Sequence, residues 1–350
     1  MRIIGIDLGK VNSQVSERDE KGEEKRNYRL TTTREALKKA LGEGERAKVL
    51  IEAGTPARWV ASCLREMGHE VVVADPNFLP MYIDAKSKRK KTDKRDASLL
   101  SQALLTGNWR GSHERSEAAQ INKMRLDARA RHVRTRTQLI NALKAMLSQW
   151  GIPKFRGAPE AVPAGIRALM TELPQDVQAL LEPEVKALEA ENEMIATLDK
   201  KIAETSGADP VVKRLQTAPG IGVITASMFV ATVDTPERFR NAHELESFLG
   251  LVPSEYSSGE RRALGGISKA GPTYLRALLV QAAWAVWRAK NSPDAQGLRR
   301  WAEAIALRRG KRVAVVALAR KLSGILFAMW KKNEVFKASQ SVAPPIPAAA

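Results

Sequence analysis

Cysteine is nearly absent from this 350-residue chain, Cys63 being the only one. A single thiol excludes an internal disulfide framework, and four scattered histidines leave no cysteine and histidine cluster at zinc spacing. Any metal site therefore has to be built from carboxylate oxygens. Long apolar runs are missing too. No stretch reads as the ~20 consecutive apolar residues of a membrane span, and the opening MRIIGIDLGK runs into charge where a cleavable signal would need an apolar stretch. The expectation is a soluble cytoplasmic protein with no membrane partner.

Acid is also in short supply. There are 39 Asp and Glu against 57 Lys and Arg, a formal net charge of +18. Such an excess repels itself until a polyanion neutralises it, which points to nucleic acid. The bases are clustered. One block holds Lys86, Lys88, Arg89, Lys90, Lys91, Lys94 and Arg95, and a second row is Arg125, Arg129, Arg131, Arg134 and Arg136. A third group, residues 299–332, has ten bases and one Glu, and reads as a phosphate-facing surface.

Hydrophobic patterning predicts an α/β region followed by an all-α region. Residues 2–6, 12–18 and 25–30 read as a three-strand meander, and 33–41 as a helix behind a threonine cap. Strands at 48–51 and 70–74 then alternate with helices at 56–67 and 93–105. That order is the order of a ribonuclease-H-like layer. Two long helices, 114–150 and 174–205, predict an antiparallel stalk with residues 151–165 as its proline-rich turn, a spacer or dimerisation arm if not an ordinary bundle. Mostly helical sequence follows from 209 to 333, and residues 336–350 are expected to be a disordered tail. The expected domains are 1–110, 111–206 and 207–335.

Asp7 ends the first apolar strand between Gly5 and Gly9, small neighbours expected to leave room for a metal or phosphate. Glu52 ends the fourth strand, so both acids emerge at one sheet edge if those strands are neighbours. Asp93 and Asp96 are three apart in a helix first turn, which puts them on one face. Acids at that position also serve as plain caps. Four carboxylates suit a hard cation, Mg²⁺ or Mn²⁺, and two such ions about 4 Å apart clamp a scissile phosphate. A strand ending in D-x-G also begins actin-like sugar kinases and chaperone ATPases, but the second Asp-Gly phosphate loop and the large adenosine pocket those folds need have no convincing match later in the chain.

Further on, LQTAPGIGVITA resembles half of a helix-hairpin-helix, with Gly220 and Gly222 in its turn offering main-chain N–H groups to a phosphate or simply turning the chain. Ser254, Ser257, Ser258 and Ser268 lie among Gly259, Arg261, Arg262 and Lys269, whose cations suit a serine attacking a phosphodiester. Taken in order, GID, IEAGT, KTDKRDA, PGIG, GLVP with YSSG, and ISKAG with Tyr274, Leu275 and Arg276 resemble the DEDD transposases of insertion-sequence family one-hundred-and-ten along essentially the whole chain.

That resemblance implies a resolvase-like N-terminal domain, a helical dimerisation arm and a C-terminal transposase domain. It implies Asp7, Glu52, Asp93 and Asp96 as the catalytic metal quartet and Ser258 as the nucleophile, with Ser257 one residue away as its competitor. It further implies a bridge RNA guiding a homodimer that pairs into a tetramer on donor and target DNA, with a site shared between protomers. Lys88, Arg89, Lys90, Lys91, Arg129, Arg134, Gly220, Gly222, Arg261, Arg262, Lys269 and Arg276 are the expected nucleic-acid contacts. Two other classes compete: a stand-alone junction-resolving nuclease with water as nucleophile, and a non-catalytic architectural protein whose acids are only caps.

Overall fold

The computed structural model describes residues 1–80, 92–152, 157–255 and 264–338, which divide into two compact units, Met1–Glu114 and Arg115–Ala350. The first unit is built on a mixed sheet of five strands: β1 (Arg2–Asp7), β2 (Asn12–Arg18), β3 (Glu24–Thr31), β4 (Ala47–Glu52) and β5 (Glu70–Ala74), in the order β3-β2-β1-β4-β5. The first three form an antiparallel meander, while β4 and β5 run parallel to β1. The central strands RIIGID and AKVLIE are nearly continuous apolar runs, as strands covered on both faces must be.

The two faces differ. Ile4, Ile6, Val15, Val49, Ile51, Val71 and Val73 turn toward α1 (Arg34–Leu41) and α2 (Ala57–Glu66) in one apolar core. Thr33 caps α1 by accepting a hydrogen bond from the Ala36 N–H, as its sequence position predicts, and the lone Cys63 is buried in that core. The opposite face carries α3 (Asp93–Thr106), which packs on β1, β2 and β4 with Leu50, Ala74, Leu79, Leu100 and Ala103 buried between. Toward β2 and β3 this layer is polar. Ser16 and Ser101 share a 2.8 Å hydrogen bond, and Arg18 donates to Ser98 Oγ at 2.6 Å and Ser101 Oγ at 2.9 Å. The unit continues past residue 110, since Asp75 N–H donates to Arg110 O and Ala74 bridges to Gly111 beside β5.

The second unit is helical: α4 (Glu117–Gln149), α5 (Val162–Met170), α6 (Gln175–Thr205), α7 (Pro210–Leu215), α8 (Val223–Val233), α9 (Ala242–Phe248), α10 (Thr273–Arg288), α11 (Pro293–Arg309) and α12 (Lys311–Lys332). A two-stranded hairpin, β6 (Pro253–Glu255) and β7 (Leu264–Ile267), sits between α9 and α10. The expected stalk helices α4 and α6 run antiparallel, as Arg129 paired with Asp199 and Arg136 with Asn192 show. The root of the stalk is core, because Leu126 and Ile202 are buried with α8 and its neighbours and α4 packs on α8.

The expected turn at 151–165 is corrected in part. Pro163 stands in the first turn of α5, where its missing N–H costs nothing, and Val162, Ile166 and Met170 pack on Leu181, Val185 and Leu188. Phe336 packs on the main core with its N–H donating to Thr217 Oγ1, and 339–350 of the expected tail lie outside the described residues. Among the described residues one helix, α12, is long and apolar enough by length and composition to cross a membrane, where no such stretch was expected. Half of its apolar window is buried inside the unit, with Leu318, Leu322 and Leu326 fully enclosed, as in a core helix.

Candidate active site

Register decides where the first two acids go. β1 and β4 pair in parallel down to Ile6 opposite Ile51, and the residues that follow are Asp7 and Glu52. Adjacent strands lie ~4.8 Å apart, so the two acids leave neighbouring strands at the same edge. Alternation decides the face. Asp7 is two residues beyond Gly5, and Glu52 two beyond Leu50, and both Gly5 and Leu50 meet α3.

Gly5 explains how close α3 comes. A Cβ there would stand 2.2 Å from Ser101 N and 2.5 Å from Ala97 O, so only glycine admits the helix. The room expected beside Asp7 for a ligand is thus taken, at Gly5, by helix backbone. At Gly9 a Cβ would stand 2.0 Å from Asn12 O, and the glycine serves the β1–β2 turn. With α3 this close, its first turn delivers Asp96 to the same face, 4% exposed, while Asp93 remains exposed. Neither acid caps the helix, because Thr92 does, accepting from the Arg95 N–H. Asn27 ties this turn to the sheet by donating to Lys94 O at 3.0 Å, and itself accepts from Gln14, the β2 residue opposite Asp7.

The donor set, carboxylate oxygens alone, fits a hard divalent cation. Asp7, Glu52 and Asp96 share one face of the layer. Among the described residues, however, no group of three or more His, Cys, Asp or Glu side chains is close enough to hold a metal ion.

The second unit treats its predicted contacts unequally. Gly220 has φ +77° and a Cβ there would meet Ala282 O at 2.5 Å, so it is needed for packing on α10. Gly222, at the start of α8, faces open space. Arg129 is committed to Asp199 with Tyr274 beside it, and burial pushes the Tyr274 phenol above its usual range. Arg125 donates to Asn122 and Thr205, and the buried Arg136 to Glu160 and Asn192. Arg131 and Arg134 alone of that row are exposed.

Arg276 is 8% exposed and donates to Leu249 O at 2.9 Å and Ala270 O at 2.8 Å. A guanidinium held this way is a brace between chain segments, not the phosphate contact expected of it. Gly250 (φ +68°) and Gly271 (φ +74°) stand in the same two segments, where a Cβ would lie 2.2 Å from Ala270 O and 2.0 Å from Phe248 O. These segments flank the β6–β7 hairpin. Ser254 Oγ donates across it to Gly266 O at 3.0 Å, while Ser268 and Lys269 are exposed, Lys269 with φ 56°. Ser257, Ser258, Gly259, Arg261 and Arg262 lie outside the described residues, as do Lys86, Lys88, Arg89, Lys90 and Lys91.

The serine-rich motif and the sheet-edge acids fall in segments that known families share. Residues 4–152 match the DEDD_Tnp_IS110 model, described as "Transposase", and residues 212–298 match the model described as "Transposase IS116/IS110/IS902 family". A "Probable family 20 transposase" of Pseudomonas aeruginosa is 33% identical over 297 residues, 83% of this chain and 85% of the relative. This chain belongs to the IS110 family of DEDD transposases. Other members it resembles are the "Transposase for insertion sequence element IS1111A" of Coxiella burnetii, 29% identical over 96% of this chain and 92% of the relative, and that of IS1328 from Yersinia enterocolitica, 29% identical over 95% and 98%. The transposase is thus an enzyme acting on DNA, and the architectural reading falls away. Arg18 and Asn27 support the acidic edge and were not legible as such in the sequence, whereas Gly5 was, though for ligand room and not for helix contact. For Arg18 and Asn27 the signal was only polar residues on β2 and β3.

Proposed function

We propose that this transposase cuts and rejoins DNA phosphodiesters with the carboxylates Asp7, Glu52, Asp93 and Asp96 and the serine Ser258. The observation that carries this reading is the in-register exit of Asp7 and Glu52 from adjacent parallel strands, on the face where α3 buries Asp96. The sheet order is that of a ribonuclease-H-like nuclease, and the carboxylates are the groups that would hold Mg²⁺ or Mn²⁺. A cation held there would supply charge neutralisation at the scissile phosphate.

Ser258 Oγ attacks phosphorus and loses its proton. The phosphodiester P–O bond breaks, and the leaving DNA oxygen takes up a proton. One ester is exchanged for another, so the reverse step rejoins the strand without an external energy source. In this reading residues 1–110 are the catalytic domain, 111–206 the dimerisation arm and 207–335 the transposase domain. A dimer pairing into a tetramer brings the serine of one protomer to the acids of another. A bridge RNA supplies sequence choice through base pairing, which leaves the protein to hold backbones through its basic surfaces.

The test uses labelled element-junction DNA, RNA transcribed from the element's flank and Mg²⁺, resolved on denaturing gels. Wild type should give a protein-linked DNA species that Ser258→Ala and Asp7→Ala both lack and that a chelator abolishes. Free cleaved ends from wild type and Ser258→Ala alike would make the protein a metal nuclease using water instead.

A further inference from the structure

Residues 299–338 lie beyond both segments matched by the family models. They contain the sharpest concentration of unneutralised charge among the described residues. α11 ends at Arg308 and Arg309, Gly310 turns the chain with φ +80°, and α12 starts at Lys311 and Arg312. All four bases are exposed, and none forms an ion pair among the described residues. Arg308 and Arg309 suit the negative end of α11. Lys311 and Arg312 stand at the positive end of α12, whose first turn has no acid, so the local field opposes them. The sequence concentrates like charge there against local preference, and a neighbouring polyanion removes the conflict.

The corner is held in place. Lys311 Nζ lies 5.1 Å from the Trp284 ring and 5.3 Å from the Trp287 ring, pinning the start of α12 to α10. Leu307, 90% exposed, and Val313, 45% exposed, flank the bases with apolar surface that the sugar edge of a nucleic-acid strand can cover. An anionic membrane attracts bases too, but its interfacial anchors are exposed aromatic rings. Here the two tryptophans are half-buried beneath Lys311.

We propose that the α11–α12 corner, through Arg308, Arg309, Lys311 and Arg312, is a docking surface for the phosphate backbone of double-stranded DNA. It reads no sequence and works apart from the acidic edge and from Ser258. It rests on the enzyme's action on DNA and not on the catalytic reading above, so binding is measured in a chelator, where no cleavage occurs.

The variant R308Q/R309Q/R312Q keeps Lys311 and its ring contacts. Its affinity for a duplex of arbitrary sequence is followed by fluorescence anisotropy across a KCl series, beside K38Q/K39Q/K201Q, which removes three exposed lysines elsewhere. Each lost phosphate contact lowers the slope of log K against log salt by about 0.9, so the corner variant should lose about 2 to 3 in slope. Its affinity should fall ~10-fold or more at low salt, equally on element and unrelated DNA, with the control slope changed by less than about 1. Circular dichroism melts should coincide with wild type, and a corner variant that melts early is replaced by R308Q/R312Q, expected to lose about 2 in slope. An unchanged slope overturns the proposal. So does a loss confined to phosphatidylserine vesicles, which would assign the surface to lipid.

Discussion

The two units of this transposase use charge in opposite ways. In the first, one sheet face is apolar toward α1 and α2, the opposite face is apolar at β4 and β5 and polar at β2 and β3 under α3, and Asp7 and Glu52 leave at one strand edge. In the second, several arginines from the basic row and the expected nucleic-acid contacts are internal braces: Arg129 on Asp199, Arg136 on Glu160 and Arg276 on two main-chain carbonyls. A strand edge constrains a side chain by alternation and register alone, so an acid there can be placed from local sequence. A helix buries whichever side its neighbours cover, and identical arginines one turn apart meet different fates.

The contrast breaks first at the acids. Asp7→Asn and Asp96→Asn should each lower strand cleavage by on the order of 10³-fold or more while leaving the melting curve nearly unchanged, read by gel assay and calorimetry. Cleavage retained in both would remove the sheet edge from the chemistry. Next is Arg276→Ala, which leaves the buried Leu249 carbonyl and the part-buried Ala270 carbonyl without their side-chain donor and should cost about 2 kcal/mol in urea unfolding. Arg134→Ala, on an exposed position, should stay within about 0.5 kcal/mol. Equal effects would erase the distinction between brace and surface.

Glycines sharpen it further. Gly5→Ala puts a methyl group into α3 backbone and should cost about 2 kcal/mol, taking cleavage with it, while Gly222→Ala faces open space and should change unfolding little. The smallest effect expected is at Glu160. Its own backbone N–H and the Arg136 guanidinium hold its carboxyl below the usual range. A depressed carboxylate contributes stability above its unfolded pKa and loses it as pH falls through the folded value. Glu160→Gln should therefore flatten the acid limb of stability against pH, by under about 0.5 kcal/mol because the side chain is largely exposed.

Strand order and the acid positions were legible because periodicity of two, the Thr33 cap and the glycine stops all agree locally. The helix at 162–170 was not, because prolines read as loop until Pro163 is seen to occupy a helix first turn. α12 was missed as a long apolar helix because Arg320 and Lys321 break its apolar run midway.

By itself, the amino-acid sequence determined the element types of the first unit and the long helices of the second, the acid inventory, the positive charge and, through motifs in order, the family. Those properties belong to residues and their near neighbours. Tertiary structure alone decided that Gly5 admits α3, that Asp96 is buried while Asp93 is exposed, and that Arg276 braces while Arg308 and Arg312 stand free of ion pairs among the described residues. Each of these depends on which surface arrives opposite a residue, and that surface comes from a distant part of the chain.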